Sequence, residues 1–198
     1  MLQVQNSGKT CTKVLVAVGG NLPSVRGSIK NTIKIAFELL DGESTRVISQ
    51  SRLFRTPAFP AGSGPDFLNA AVEIWTSLPA AALMARLHEI EAETGRTRTD
   101  RWEARVLDLD LLAYGDEILP DRGVVSAWMT LEAAAQTQTT PEQVMVPHPR
   151  MHERGFVLVP LKDIAPDWVH PVLGKSVRQM VAALDPADVA EICPLDLD

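Results

Sequence analysis

An α+β fold with the element order β-α-β-β-α-β is predicted for this chain, and three observations predict it. Residues 107–112 read L-D-L-D-L-L, an alternation of period two that marks a strand with one apolar face. Lys13 to Val18 form a short valine-rich run that ends in Gly19-Gly20-Asn21, as a strand closed by a turn does. Two further stretches carry apolar residues at helical spacing, Ile29, Ile33, Phe37 and Leu40 in one and Leu83, Leu87 and Ile90 in the other, which is the stripe of a helix packed on a sheet.

The elements follow in order. Pro23 and Ser24 open the first helix and Asp41-Gly42 ends it. Residues 45–55 read as one long strand, and residues 56–65, T-P-A-F-P-A-G-S-G-P, as a Pro/Gly-rich loop. The next strand, 67–75, sets Phe67, Asn69, Ala71 and Glu73 on one face. Ser77 caps the second helix with Pro79 in its first turn, and Gly95 stops it. The acidic strand runs out at Tyr114-Gly115-Asp116. Residues 120–143, rich in Thr, Gln and Ala, form a less regular insertion with room for one short helix over 131–136. Beyond it come an apolar helix over 156–161 with Pro166 past its end, a short strand over 168–172 and a last helix over 176–184. This is the ferredoxin-like pattern, a twisted antiparallel sheet with helices on one face. No repeat or linker divides the chain. The expectation is one domain over residues 1–198, with a disordered lead (1–11), the extended insertion (120–143) and a loosely held tail (186–198).

Composition bounds the function. The chain has 198 residues, 45% hydrophobic and 22% charged, with 19 Lys and Arg against 25 Asp and Glu for a net charge of −6. That balance argues against broad nucleic-acid or anionic-membrane binding. No apolar run reaches transmembrane length. The opening MLQVQNSGKT lacks the apolar core of a signal peptide. Cys11 and Cys193 lie near opposite ends without metal spacing, and read as free thiols in a reducing cytoplasm.

The chemistry centres on residues 101–112, R-W-E-A-R-V-L-D-L-D-L-L. On a strand, Asp108 and Asp110 share a face with α-carbons roughly 6.5 Å apart. Carboxylates so placed can converge on two divalent cations about 3.5–4 Å apart. Arg96, Arg98, Arg101 and Arg105 precede them, and guanidinium forks pair with phosphate oxygens. A lone D-x-D is more often a solvated acidic face; four arginines and Trp102 ahead of it turn the reading to a metal–nucleotide phosphate site. Residues 146–156, V-P-H-P-R-M-H-E-R-G-F, are the second dense stretch. His148 and His152 stand four apart, but no third ligand accompanies them as a zinc site requires. His148, Arg150 and Arg154 read instead as an anion-binding edge, against the plainer alternative of a histidine at a helix start. Asn69 by itself reads as a polar strand residue. No G-x-x-x-x-G-K-[ST] occurs, and the Gly-Gly-Asn turn is structural on its own terms.

These motifs resemble the 6-hydroxymethyl-7,8-dihydropterin pyrophosphokinases of folate biosynthesis. V-G-G-N-L at 18–22, S-R-L-F-R-T-P at 51–57, P-D-F-L-N-A-A at 65–71, G-R-T-R at 95–98, the 101–112 run and V-P-H-P-R-M-H-E-R-G-F-V-L-V-P-L at 146–161 occur in family order. The resemblance implies transfer of the β,γ-diphosphate of ATP to the pterin hydroxymethyl oxygen, with release of AMP. It implies that Asp108 and Asp110 hold two Mg2+ ions and that Arg96 and Arg105 bind the transferring phosphates. It assigns ATP contacts to His88, Arg98, His148 and Arg154. It implies a pterin between Phe67 and Phe156, its edge read by Asn69 and the backbone of Thr56 and Pro57, with Phe59 and Trp102 closing over it. The implied partners are these two small molecules, with neither nucleic acid nor membrane. Gly20 departs from a common serine, Phe67 from a tyrosine seen in some members, and 120–143 exceeds the usual connection. Gln143 and Met145 leave the adenine end least defined, and Mg2+ is not separable from Mn2+ by sequence. Two other readings compete. A two-metal phosphohydrolase would need a water-positioning base that the chain does not offer. A non-catalytic binding module is disfavoured by the joint presence of Asp108, Asp110, Arg96, Arg105 and His148.

Overall fold

The computed structural model describes residues 11–58, 64–95, 106–132 and 143–195. Its centre is β1 (Thr12–Gly20), whose V-L-V-A-V stretch is apolar on both faces. It pairs antiparallel with β4 (Phe67–Thr76) on one side and β5 (Asp108–Tyr114) on the other. β2 (Thr45–Gln50) and β3 (Leu53–Thr56) follow each other along the far edge of β4, and β6 (Cys193–Leu195) extends the sheet beyond β3.

Both faces of the sheet are covered, not one. Val14, Val16, Val18, Leu107, Leu109 and Leu111 pack on one side against α1 (Ile29–Leu40) and α2 (Ala80–Glu93). Leu15, Ala71 and Leu112 pack on the other against Met151 and against α4 (Gly155–Ile164) and α5 (Val177–Ala182). The continuous apolar run of β1 is what two-sided burial requires, as in sheets sandwiched between helices.

Local chemistry corrects several expected boundaries. The strand expected over 45–55 is broken at Ser51. The Ser51 hydroxyl accepts the Ala71 N–H at 2.8 Å, and the Ser51 N–H donates to the Ala71 carbonyl at 2.9 Å. Arg52 then turns outward to grip Asp163 of α4 with two bonds of 2.9 Å. A hydroxyl that replaces a ladder partner interrupts a strand in this way. Helix α1 starts at Ile29 on the Ser28 cap; Ser24 instead closes a turn with Gly27, which sits at φ +112°. Helix α2 starts after Pro79, and the Ser77 N–H donates to Ser44 rather than its side chain capping the helix.

Among the described residues the insertion carries α3 (Arg122–Thr130), started by Asp121, which caps it by accepting the Val124 N–H at 2.9 Å; most of the helix expected over 131–136 lies outside the described residues, which omit 133–142. At the C-terminus, the segment expected to be loosely held contains α6 (Pro186–Ala190), capped by Asp185, and β6, whose Leu195 lies opposite Leu53 and packs on the first core; residues 196–198 lie outside the described residues. A helix start at Asp-Pro is a standard N-terminal signal. The short strand expected over 168–172 reduces to one bridge, Val169 with Ser176.

His170 organises that last loop from within. It is fully buried, and its Nδ1 accepts the N–H groups of Val172 and Leu173, each at 3.2 Å. Burial, and secondarily the neighbouring His152, pull its pKa down from 6.5 to about 4. The unfolded chain therefore binds a proton below pH 6.5 that the folded chain refuses. This contribution to stability is fully present above pH 6.5 and is lost as pH falls through the window from 6.5 to about 4. The acid limb of a stability–pH profile from urea melts is expected to be shallower in His170→Asn, whose amide oxygen can still accept both N–H groups; an unchanged slope would contradict it.

Candidate active site

One row across the sheet sets the site. Gly19 of β1 lies between Asn69 of β4 and Asp108 of β5, and Phe54 of β3 lies beyond Asn69. The next row on the same face places Ala17 between Ala71 and Asp110. Directly paired residues share a face, so Asn69, Asp108 and Asp110 all point to the side that carries α4. Both aspartates are half-buried, whereas Leu107, Leu109 and Leu111 between them enter the opposite core.

The register between β1 and β5 slips between Leu15 and Val16, leaving Leu112 as the extra residue. A bulge frees a backbone group for another partner. Here the Leu112 carbonyl accepts the His148 N–H at 2.8 Å, which brings residues 146–156 beside the acid pair. The His148 Nδ1 accepts the Arg150 N–H at 3.1 Å. Burial first and the Arg154 charge second lower its pKa to about 3, with Asp108 pulling the other way. His148 is thus a neutral ring whose proton sits on Nε2, a donor suited to a phosphate oxygen. The Arg154 guanidinium stands 3.8 Å from the Asp110 carboxylate and 5.7 Å from the centre of the Phe156 ring. Burial pulls the Arg154 pKa down and Asp110 holds it up.

At the other end of the row, the Asn69 amide donates to the Thr56 hydroxyl at 2.8 Å. Its oxygen lies over Gly19, where a Cβ would come within 2.8 Å of it. Glycine is therefore what lets Asn69 lie flat across β1. Phe67 is half-buried opposite Thr56, Pro57 is exposed, and Phe156 is 42% exposed in the first turn of α4. The structure thus gathers Asp108, Asp110, His148 and Arg154 at one end of a row that carries Asn69, and through it Thr56, at the other.

The family model for 7,8-dihydro-6-hydroxymethylpterin-pyrophosphokinase (HPPK) matches residues 15–166, a stretch that contains every one of these positions. The chain belongs to this family. Membership makes it an enzyme of folate biosynthesis that transfers diphosphate to hydroxymethyldihydropterin. It is 35% identical to the 2-amino-4-hydroxy-6-hydroxymethyldihydropteridine pyrophosphokinase of Synechocystis sp. over 93% of this chain and 82% of that one. It is 34% identical to the Methylorubrum extorquens enzyme of the same name over 91% of this chain and 99% of that one. Its fold is similar to the crystal structure of wild-type Plasmodium falciparum HPPK-DHPS, with a TM-score of 0.63 and 14% identity over 87% of this chain. The chain spans less than half, 44%, of that protein's length.

Of the remaining residues that sequence points to in this HPPK, His88 is exposed on α2. Phe59, Arg96, Arg98, Arg101, Trp102 and Arg105 lie outside the described residues. Sequence reasoning missed Glu91, three residues after His88. It is only 2% exposed, and its carboxylate accepts the Leu109 N–H at 2.8 Å, fixing the outer edge of β5 between the two aspartates. The signal was present: Glu91 falls four residues after Leu87 on the apolar stripe of α2, a position where a carboxylate is kept only with a partner. Asn21 was read as part of a turn. It is buried, and its amide donates to the Pro65 carbonyl at 3.3 Å, joining the end of β1 to the approach to β4.

Proposed function

We propose that this HPPK works on ATP and 6-hydroxymethyl-7,8-dihydropterin in the cytoplasm, with phosphate chemistry at Asp108 and Asp110 and pterin reading at Asn69. The observation that supports this is the row Asn69–Gly19–Asp108 with Asp110 in the next row: an amide suited to a ring edge on β4 and a metal-type carboxylate pair on β5 share one face of the sheet, with β1 between them. In the reaction, the pterin hydroxymethyl oxygen forms a bond to the β-phosphorus of ATP. The bond from that phosphorus to the α,β-bridging oxygen breaks, its electron pair leaves on AMP, and the hydroxyl proton passes to solvent water. Such transfer needs positioning and charge neutralisation more than a covalent nucleophile.

Two half-exposed carboxylates on one strand face suit Mg2+, which keeps waters and takes substrate phosphates beside one or two protein carboxylates. When bound, two such ions would be held by Asp108 and Asp110 and would supply neutralisation of phosphate charge. His148 donates its Nε2–H and Arg154 its charge to ATP phosphates from the outer side of β5, with Arg96, Arg98 and Arg105 adding guanidinium forks and His88 a contact on the nucleotide. Phe67 and Phe156 stack the pterin; Thr56 and Pro57 meet its edge with backbone groups; Phe59 and Trp102 close over it.

The test is AMP release with and without the pterin. AMP is expected only when both substrates are present, whereas a two-metal hydrolase would release AMP or phosphate from ATP alone. A second expectation follows from Gly19. Gly19→Ala drives a methyl into the Asn69 amide, and is expected to raise the pterin dissociation constant on the order of tenfold, the loss of about one buried hydrogen bond, while ATP affinity stays close to wild type. Calorimetry with each ligand checks it, and equal losses for both would remove Asn69 from the pterin edge.

A further inference from the structure

Two histidines stand behind the cationic turn and have no part in the reaction above. His152 lies in a 3-10 turn (Met151–Glu153) bracketed by Arg150 and Arg154, and His170 faces it from the loop before α5. Their rings meet edge to face, with centres 6.4 Å apart at 75°. The His170 Nε2 and the His152 Nδ1 are both buried without a hydrogen-bond partner among the described residues. His170 is further fixed as to tautomer. Its Nδ1 accepts two backbone N–H groups, so its proton is on Nε2, which is the buried atom.

We propose that one buried water joins the His170 Nε2–H to the His152 Nδ1, and that this link positions the Arg150–Arg154 turn for ATP. An imidazole nitrogen lies about 1.2 Å from its ring centre, so nitrogens of rings at this separation stay about 4 Å apart at the closest, beyond direct hydrogen-bond reach. Two bonds of about 2.8 Å through one water at a tetrahedral angle span roughly 4.5 Å. The site is polar at both ends and offers the two partners that a buried water needs. Two nitrogens fall short of the ligand set of a structural zinc.

The link adds to a turn whose helical starts lack side-chain caps. Neither its own start at Arg150 nor the start of α4 at Arg154 has a side-chain cap. Its other anchors are the Met151 side chain in the core, backbone bonds, the Arg150 N–H donated to the His148 Nδ1, and the ion pairs of Arg150 with Glu153 and of Arg154 with Asp110. On the other side, His170 is rigid. Its N–H donates to the Lys175 carbonyl at 2.9 Å, its carbonyl accepts from Gly174 at 2.8 Å, and Arg122 of α3 donates to the Pro171 carbonyl at 2.8 Å. The link therefore ties the cationic turn to α5 and to the insertion helix.

This inference rests on the reading that Arg154 binds ATP, so Arg154→Ala is measured alongside. His152→Leu and His170→Asn are each expected to raise the KM for ATP about fivefold, the worth of one buried hydrogen bond, with kcat and the pterin KM unchanged. The double variant is expected to be no worse than either single, and His152→Asn, which restores an acceptor at the Nδ1 position, to recover wild-type KM. Multiplying effects, or lowered melting temperature with unchanged KM, would overturn the link. If Arg154→Ala leaves the ATP KM unchanged, the ATP reading fails instead, and nitrogen NMR of the imidazoles still decides the link. That spectrum is expected to show His170 protonated at Nε2 with a proton slow to exchange, and His152 unprotonated at Nδ1. Rapid exchange of that proton, or bound zinc in the purified protein, would overturn it.

Discussion

Asp108→Ala and Asp110→Ala are each expected to lower turnover by on the order of 10²–10³-fold, the cost of losing one group that stabilises charge developing in the transition state, with the melting temperature nearly unchanged. The separation of the two outcomes follows from the strand. Asp108 and Asp110 lie half-exposed on the α4 side of the sheet, while Leu107, Leu109 and Leu111 carry the packing of β5. The N–H of Leu109 is held by Glu91, not by either aspartate. Removing Asp110 leaves Arg154 without the carboxylate now 3.8 Å away, but Arg154 keeps access to water and the loss should cost little stability. Single-turnover AMP formation at saturating Mg2+, with a thermal melt of each variant, checks both halves. Near-native turnover in either variant would take the chemistry away from this strand.

The strand pattern that makes this prediction possible is legible in the sequence alone. Alternation over 107–112 put the aspartates on one face and the leucines on the other, and the sheet register agrees. What the alternation could not carry is the partner of each face. The bulge that leaves Leu112 over is decided by pairing with β1, and so the docking of His148 on the Leu112 carbonyl is invisible in a one-dimensional pattern. The break at Ser51 has the same cause, since a serine in a stretch that reads as one strand carries no sign that its hydroxyl will take the Ala71 N–H. The two-sided cover is also legible in the sequence, against the one-sided cover that the ferredoxin-like pattern suggests. Val14 to Val18 do not alternate, and a strand that does not alternate is buried on both faces. The C-terminal strand was not legible, because three residues gain a structure only by pairing with the edge of β3.

Phe67→Ala and Phe156→Ala are expected to weaken pterin binding by about 1–3 kcal/mol, the scale of aromatic area burial and stacking, while ATP binding and melting temperature change little. These two variants test the pterin assignment apart from the phosphate chemistry, because many phosphoryl-transfer sites use Asp and Arg but a flat ring calls for facing aromatics. The ordinary fate of phenylalanine is the core, and a core Phe→Ala costs about 3–5 kcal/mol of stability. The surroundings speak against that fate here. Neither residue belongs to the two packed clusters, and Phe156 is 42% exposed. Phe67 lies two residues before Asn69 on the same strand and opposite Thr56, so stacking and edge reading would come from one surface. Phe156 stands in the first turn of α4, on the face of the sheet to which Asn69 points, under the Arg154 guanidinium at 5.7 Å. That contact makes one asymmetry expected: Phe156→Ala should disturb ATP binding slightly through Arg154, and Phe67→Ala should not. Calorimetry with pterin and with an ATP analogue, beside thermal melts, reads all three quantities for each variant. If the melting temperatures fall steeply while pterin affinity holds, the ring binds elsewhere.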